Sequence, residues 1–224
     1  MTFDLSVLSG YWPELAAGLG RTVWLCAAGA VMSGALGILL TVGQRRGGRW
    51  LAAVIRWYTA LTLGLPLLVL LYVMFFVLPD FGVLLPAPLV GTVTLAIYYG
   101  PYVAEVIQAA VAAVPPGTVE AGIAIGMSPL AIARRVIAPQ ALPLLLPTLT
   151  GLLIGLVKDS ALLSVISVHE FMFAAKAIVS DTYAPLEVYF VVAMVYWVAT
   201  SVIHFSTRHW EARLGHARRV ALPR

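Results

Sequence analysis

The side chains most able to bind a solute or take part in a reaction lie inside apolar runs of the chain. Lys158 and Asp159 are adjacent charges there, followed by Ser160 and Ser164 on one helical face. A charge inside a membrane costs a few kcal/mol or more, so each is by default a candidate for a functional role. Neighbouring residues on a helix do not face each other, so the two charges should meet different partners. The alternative is a structural ion pair with another helix or protomer. The candidates for a polar pathway are Glu105, Lys158, Asp159, Ser160 and Ser164.

The same residues also allow an enzymatic interpretation. Ser160 and Ser164 beside Lys158 have the residue types of an intramembrane hydrolase with a serine–lysine pair. Neither lysine of the chain lies in a G-x-x-x-x-G-K-[ST] motif, so no site for ATP phosphates is predicted. The four histidines show no i, i+4 pairing and no H-E-x-x-H motif. A metal site is therefore not predicted either, and we expect the chain to bind no cofactor of its own.

Composition indicates a chain that dissolves in lipid. Of its 224 residues, 61% are hydrophobic and 11% are charged, which is about half the charge of a soluble domain. Aromatic residues lie in apolar runs and are not interleaved with basic residues, so nucleic acid is not an expected partner. The single cysteine, Cys26, lies in an apolar run and cannot form an internal disulfide. The N-terminal residues lack the basic segment and cleavage site of a signal peptide, so we expect the first span to be retained.

Five apolar runs are long enough to cross a bilayer. Each must be a helix, because only helices and closed barrels satisfy the backbone without water. No series of ten-residue segments alternates with period two, as barrel strands would. We therefore predict an all-α integral membrane protein, a bundle of five transmembrane helices forming a single domain over residues 1–224. The predicted spans are about 22–42, 57–78, 88–114, 142–168 and 186–205.

Small residues and prolines predict how these helices pack. Gly29, Ser33 and Gly37 recur every four residues in the first span, and Gly151 and Gly155 form a GxxxG pair in the fourth. Small residues at this spacing let helix backbones approach closely in a membrane. Prolines inside spans predict kinks or helix breaks. Neighbouring groups can form hydrogen bonds with the backbone groups that such a break leaves unpaired. These prolines are Pro66, Pro101, Pro143 and Pro147.

Basic residues indicate the orientation of the bundle. Arginines concentrate in the connections after the first and third spans and in the C-terminal tail, whereas the other connections are acidic or nearly uncharged. Positive connections stay inside, which predicts an external N-terminus and a cytoplasmic C-terminus. It also predicts a cytoplasmic insert, residues 115–139, between the third and fourth spans. At this end of the bundle, an ion pair of Glu105 with Arg134 or Arg135 is the alternative to a pathway role.

The insert is predicted to contain two short helices. Residues 115–117, Pro-Pro-Gly, end the third span. Thr118 is a suitable cap for the first short helix, and Gly126 ends that helix. Ser128 and Pro129 then provide the cap and first position of the second helix. The predicted apolar side of the second helix comprises Leu130, Ala133, Val136 and Ile137, opposite Arg134 and Arg135.

An amphipathic insert of this kind has two physical explanations. A slim helix containing Ala121, Gly122 and Ala124 fits a groove on another protein. Alternatively, the insert lies in the headgroup layer with its arginines near lipid phosphates.

The spacing in the insert resembles a known motif. Glu120-Ala121-Gly122, three residues, Gly126, nine residues and then Val136 to Pro139 are similar to the EAA loop of ATP-binding-cassette importer permeases. In that family the loop is the coupling helix, which inserts into a cleft on the ATPase subunit. Three positions depart from the usual pattern but stay small or apolar, namely Gly122, Val136 and Ala138.

The resemblance extends over most of the chain. Tyr98–Gln108, Val157–Ile166, Leu63–Leu71 and Ala17–Leu25 resemble, in order and spacing, segments of the polar amino-acid uptake branch of that family. Several positions that are usually polar in the branch differ here, and most of them are apolar. Either the solute is less polar than usual, or a partner permease provides the pocket. The departures are Leu63, Leu65, Leu70, Gln108 and Ala161.

The resemblance implies a permease subunit that moves an amino acid or a related small polar solute into the cytoplasm across the bacterial inner membrane. Its implied partners are an ATPase subunit that binds ATP and Mg²⁺, a second permease (the same or related), an extracytoplasmic substrate-binding protein and membrane lipid. An ion-driven secondary carrier is an alternative, although two inverted halves are not evident. The implied ATPase-coupling residues are Glu120, Ala121, Gly122, Gly126, Arg134 and Pro139.

Overall fold

The computed structural model describes the backbone of residues 3–221 and the side chains of residues 3–208. Within these residues the chain is almost entirely helical, and no strand occurs among them. The α-helices are α1 Trp12–Arg46, α2 Gly48–Gly64, α3 Leu67–Tyr72, α4 Ala87–Ala112, α5 Pro116–Ala124, α6 Pro129–Ile132, α7 Ala138–Asp159, α8 Phe171–Thr182 and α9 Pro185–Ala221.

The helices form a membrane bundle of the predicted class. Helices α1 and α4, the helical run Pro129–Ile166 and the described part of α9 are each long and apolar enough to cross a membrane. Helix α2 and the helical segment after it form a fifth, bent candidate within the described residues. The protein is therefore an all-α bundle with up to five membrane-crossing elements.

Helix α1 is longer than the predicted span, because its first turns are packed against the rest of the bundle. It begins at Trp12, although the apolar run begins near Thr22. Leu15 and Gly18 are buried in this extension. A Cβ at Gly18 would lie 3.0 Å from the Cα of Phe171, so glycine favours this close approach between α1 and α8.

The stripe of small residues in α1 is confirmed as a packing surface. Gly29, Ser33 and Gly37 are all buried. A Cβ at Gly37 would lie 2.5 Å from Val103 Cγ1 and 3.0 Å from the Gly100 carbonyl oxygen of α4. The two backbones approach closely because α1 has a glycine where α4 presents Val103 and the Gly100 carbonyl. This contact fixes α4 against α1.

Pro66 breaks the second predicted span. Helix α2 ends at Gly64, Leu65 and Pro66 are extended, and the helical segment that follows is inclined by 108° to α2. Proline lacks an N–H and moves the preceding residue out of helical conformation, which explains the break. The segment continues as α3, a π turn and a 3₁₀ turn that ends at Phe81. The kink or helix break predicted at Pro66 within the span 57–78 is therefore confirmed.

The fourth predicted span belongs to a longer helical run. The chain is helical from Pro129 to Ile166, through α6, a π turn, α7 and a 3₁₀ turn. Pro143 and Pro147 lie inside α7 without breaking it. The π turn Ala133–Ile137 directly precedes the early prolines of α7. The second helix of the insert is thus the continuation of a membrane helix.

Helix α8 lies in a connection for which the sequence analysis predicted no helix. Glu170 caps it, because the carboxylate accepts the N–H groups of Met172 and Phe173 at 2.9 Å. Its buried side packs against the start of α1 and the start of α9. Tyr183 ends it in the left-handed conformation, with φ of 52°. Helix α8 closes the end of the bundle opposite the insert.

Candidate functional site

The first helix of the insert, α5, begins at Pro116 and follows α4 closely. The prediction that Thr118 caps this helix was wrong. Pro115 is the capping residue, and Thr118 lies in the first turn, where its Oγ1 donates to the Pro115 carbonyl at 2.7 Å. Proline has the backbone angle of a first helical position, so Pro116 starts the helix earlier than expected.

Gly126 reverses the chain between α5 and α6. Its φ is +77°, the left-handed region that favours glycine. The Met127 N–H donates to the Gly122 carbonyl at 3.0 Å and closes the turn. Gly122 is buried, and a Cβ there would lie 3.3 Å from Ile132 Cγ1. The two glycines therefore let α5 fold onto the start of α6.

Ser128 and Pro129 start α6 as predicted. The Ser128 Oγ accepts the Ala131 N–H at 3.3 Å, and Pro129 stands at the beginning of the helix. This cap is the boundary between the turn at Gly126 and the long helical run that enters the bundle.

The turn presents apolar side chains outward. Ile123, Ile125 and Leu130 are exposed, Ile125 by 78%. Leu130 belongs to the apolar side predicted for this helix, and that side is not buried at this residue. Ile132 is buried instead, because it is the side chain that meets Gly122. The exposed predicted coupling residues around this surface are Glu120, Ala121, Gly126, Arg134 and Pro139. An apolar surface rimmed by charges is typical of a protein-binding site.

The base of the insert is fixed to the bundle. Ala110 and Val114 at the end of α4 pack with Ala141 of α7 and with Val119 of α5. Gln140 donates to the Val136 carbonyl at 2.9 Å and reaches Thr118 Oγ1 at 3.5 Å. These contacts join α4, α5 and α7, so a force on the insert is transmitted to two membrane helices.

Asp159 lies at mid-depth of the bundle. Its carboxylate accepts the Tyr99 hydroxyl at 2.8 Å, and Tyr99 is near the middle of α4. Tyr98 and Tyr102 stack beside Tyr99 with ring centroids 5.5 and 6.1 Å from it. Lys158 points elsewhere and is exposed on the surface of the chain. The expectation that the two charges do not share a partner fits this geometry.

Ser160 and Ser164 lie just beyond Asp159 and are both buried. The Ser160 hydroxyl donates to the Val157 carbonyl at 2.8 Å. The Ser164 hydroxyl donates to the Ala161 carbonyl at 2.7 Å and accepts from Lys176 of α8 at 2.9 Å. The lysine in contact with a serine is therefore Lys176, which sequence reasoning did not single out.

Glu105 is not brought together with these groups. It is exposed on α4, six residues after Tyr99, which is about 9 Å along a helix. Glu105 lines a cavity of about 370 Å³ together with Ala109, Leu144 and Thr148. The structure thus places Glu105 between the insert and the level of Asp159.

A buried acidic group, Glu170, was missed by the sequence analysis. Its side chain is 0% exposed and accepts the Thr22 hydroxyl at 3.1 Å, while the Thr22 Oγ1 accepts the Phe171 N–H at 3.0 Å. Burial raises the pKa of the Glu170 carboxyl. The available signal was a carboxylate directly before the apolar series 171, 174, 175 and 178, a capping pattern.

Among residues 3–208, no group of three or more histidine, cysteine, aspartate or glutamate side chains is placed to hold a metal ion. Membrane-compatible helices, polar groups at mid-depth and an insert exposed at one end are features expected of a membrane transport subunit.

Family comparison identifies that subunit further. Residues 33–216 match the family described as the binding-protein-dependent transport system inner membrane component, and the chain belongs to this family. It is thus a permease subunit of an ATP-binding-cassette importer and not an enzyme. ATP hydrolysis in such importers is carried out by a partner ATPase.

Three relatives show how far the similarity extends. The glutamine transport system permease protein GlnP of Escherichia coli (strain K12) is 33% identical, over 96% of this chain and 99% of its own. The probable amino-acid ABC transporter permease protein y4tG of Sinorhizobium fredii is 32% identical, over 90% and 86%. The crystal structure of an amino acid ABC transporter with histidines covers 95% of this chain and 100% of its own, with 33% identity and a TM-score of 0.89.

Proposed function

We propose that this chain moves an amino acid, or a related small polar solute, into the cytoplasm across the bacterial inner membrane. The names of relatives similar over nearly their whole length support this cargo class. The concentration of arginines at the insert end supports an external N-terminus and a cytoplasmic C-terminus. An extracytoplasmic substrate-binding protein delivers the solute to the opposite face.

The insert couples the permease to the ATPase. The observation that carries this proposal is the exposed apolar turn of Ile123 and Ile125, held by Gly122 and Gly126 on a base joined to two membrane helices. Helix α5 seats in a cleft of the ATPase, which holds ATP and Mg²⁺. When that cleft moves, it displaces the insert, and the continuous helical run Pro129–Ile166 transmits this displacement toward Asp159. The coupling residues are Glu120, Ala121, Gly122, Gly126, Arg134 and Pro139.

A second permease, the same or related, faces Lys158. This ammonium group is exposed beside Asp159, at the depth of the middle of α4. A lysine facing acyl chains at that depth is costly, so a polar pathway between two permeases explains its exposure. Lys158 then supplies a positive charge on the exposed face of the helix, and Asp159 supplies a negative charge at the same depth on another face, beside the buried Ser160 and Ser164. Glu105 lies further along, toward the cytoplasmic exit.

The serine-hydrolase alternative has no support from the geometry. Ser160 donates to a backbone carbonyl of its own helix, and Ser164 contacts Lys176 while buried. A secondary carrier is likewise unsupported, because the family works through a partner ATPase.

Ile125→Asp tests the coupling proposal, and Leu84→Asp is the matched control. The two side chains are 78% and 80% exposed and lie beyond opposite ends of α4. A charge in an apolar cleft is strongly unfavourable, so Ile125→Asp should abolish co-purification of the ATPase and ATP-dependent uptake in vesicles. Leu84→Asp should retain both. Retention of the ATPase by Ile125→Asp would overturn the proposal.

A further inference from the structure

Helix α2 carries an apolar groove on the side that faces away from the bundle. Its inner side packs through Ile55 against Leu40 and Ala104. Its outer side bears Trp50, Val54, Trp57 and Leu61, with the two indoles 79% and 74% exposed. This spacing of three and four residues places all four on one helical face. They enclose, with Ala53 and Tyr58, a groove of about 500 Å³, which we call the α2 groove.

The floor of the α2 groove is fixed in place. The Tyr58 hydroxyl donates to the Ile97 carbonyl of α4 at 2.6 Å, so the ring cannot swing outward without losing this bond. The groove is therefore a formed feature of the folded chain.

Arginines cluster at the end of the α2 groove where the chain turns from α1 into α2. Arg45, Arg46 and Arg49 are exposed around this turn. The Arg49 guanidinium lies 5.5 Å from the Trp50 ring centroid, a cation–π contact that holds it at the mouth of the groove. A tryptophan and arginines at one end of a membrane helix mark the headgroup level, and the groove extends from there toward the acyl chains.

We propose that the α2 groove binds an anionic phospholipid, with an acyl chain along Trp50, Val54, Trp57 and Leu61 and the phosphate held by Arg46 and Arg49. Charge complementarity selects this occupant. Guanidinium groups match phosphate oxygens in geometry and charge. A second copy of the chain seated symmetrically on this face would bring a second arginine cluster close to the first, which is electrostatically unfavourable.

Quenching by brominated lipid tests the site in the assembled transporter. The complex is reconstituted in phosphatidylcholine vesicles that contain a minor fraction of either brominated phosphatidylglycerol or brominated phosphatidylcholine. Subtracting the fluorescence of the Trp50→Phe/Trp57→Phe variant isolates the signal of these two tryptophans from that of all others. We expect brominated phosphatidylglycerol to quench this signal at a clearly lower mole fraction than brominated phosphatidylcholine.

Two arginine pairs on the same side of the bundle provide the matched comparison. Arg46→Gln/Arg49→Gln should reduce the preference for the anionic lipid by roughly fivefold for each arginine removed. Arg135→Gln/Arg208→Gln, which removes equal charge from the same side of the bundle but outside the α2 groove and the coupling residues, should leave the preference unchanged. Arg46→Lys/Arg49→Lys should keep most of it, which separates lost charge from misfolding.

Three results would overturn the proposal. Equal quenching by both brominated lipids would show an ordinary lipid-facing surface without headgroup selection. Absence of quenching by either lipid would show that a protein, such as a second permease, covers the α2 groove. An equal loss of preference in both glutamine double variants would show attraction by overall surface charge and not by a site.

Discussion

Gly126 sets the position of the exposed apolar turn of the insert. Its φ of +77° costs a residue with a side chain about 1–2 kcal/mol, so Gly126→Ala should shift the turn. We expect the ratio of solute uptake to ATP hydrolysis in vesicles to fall roughly fivefold while the bundle stays folded.

Gly117 provides the control for this substitution. It lies in α5, its φ is not left-handed, and a Cβ there would meet nothing within 4 Å. Gly117→Ala should therefore leave coupling unchanged. Equal behaviour of the two variants would show that the conformation at Gly126 has no part in coupling.

Substitutions at Asp159 and Tyr99 distinguish a role of Asp159 in the solute pathway from a purely structural role. Asp159→Asn removes the charge and keeps an oxygen that accepts from Tyr99, whereas Tyr99→Phe removes the bond and keeps the charge. If the carboxylate binds the solute's ammonium group, Asp159→Asn should lower uptake by about tenfold or more, and Tyr99→Phe by much less. Uptake rates at saturating binding protein measure this. Equal losses would reduce Asp159 to a structural partner of Tyr99.

At the level of elements, Thr22 joins α1 to α8. Its hydroxyl donates to Glu170 and accepts the Phe171 N–H, and both partners are buried. Thr22→Val leaves the buried Phe171 N–H unpaired and removes one of the three hydrogen bonds that the Glu170 carboxylate accepts, so we expect a loss of about 1–3 kcal/mol in the free energy of unfolding. The unfolding midpoint in detergent should fall by roughly 2–4 °C for each kcal/mol.

Thr94→Val is the control for Thr22→Val. Thr94 is equally buried in a membrane helix, but its hydroxyl bonds only the Val90 carbonyl of its own helix. Its replacement should change the midpoint little. A midpoint for Thr22→Val as high as that of Thr94→Val would contradict the bridging role of Thr22.

Elements with local signals were predictable from the sequence. Three such features depend on the type of a single residue. They are the turn at Gly126, the cap at Ser128 and the close approach at Gly37. The sequence did not predict which prolines break a helix, because the packing around each proline decides this. Pro101 is buried inside an unbroken α4, whereas the helix breaks at Pro66, near Gly64, where an added Cβ would meet nothing within 4 Å.

Elements that depend on tertiary contacts were not predictable. Helix α8 has only 12 residues and contains Lys176 and Asp181, so it does not register as a span, and its stability comes from packing on α1 and α9. The bond between Tyr99 and Asp159 joins residues 60 positions apart and depends on the rotation of two helices about their axes. The pattern of residues within one helix does not determine that rotation, so this hydrogen bond could not be predicted from the sequence.

At the level of the whole molecule, the insert, Asp159 and α8 lie at three different depths. The insert is exposed at one end, Asp159 lies near the middle, and α8 closes the far end through Glu170. One uninterrupted helical run, Pro129–Ile166, connects the first two. Because that run is helical throughout, we expect displacement of the insert to be transmitted toward the level of Asp159.

The position and partner of α5 are therefore the central claim. The chain has one cysteine, Cys26, which is buried, so Ile125→Cys introduces a single exposed thiol. In intact membranes carrying the assembled transporter, we expect this thiol to crosslink to the ATPase subunit and to resist an impermeant maleimide added from outside. Leu84→Cys should show the opposite pattern. Labelling of Ile125→Cys from outside, without any crosslink to an ATPase, would contradict the account.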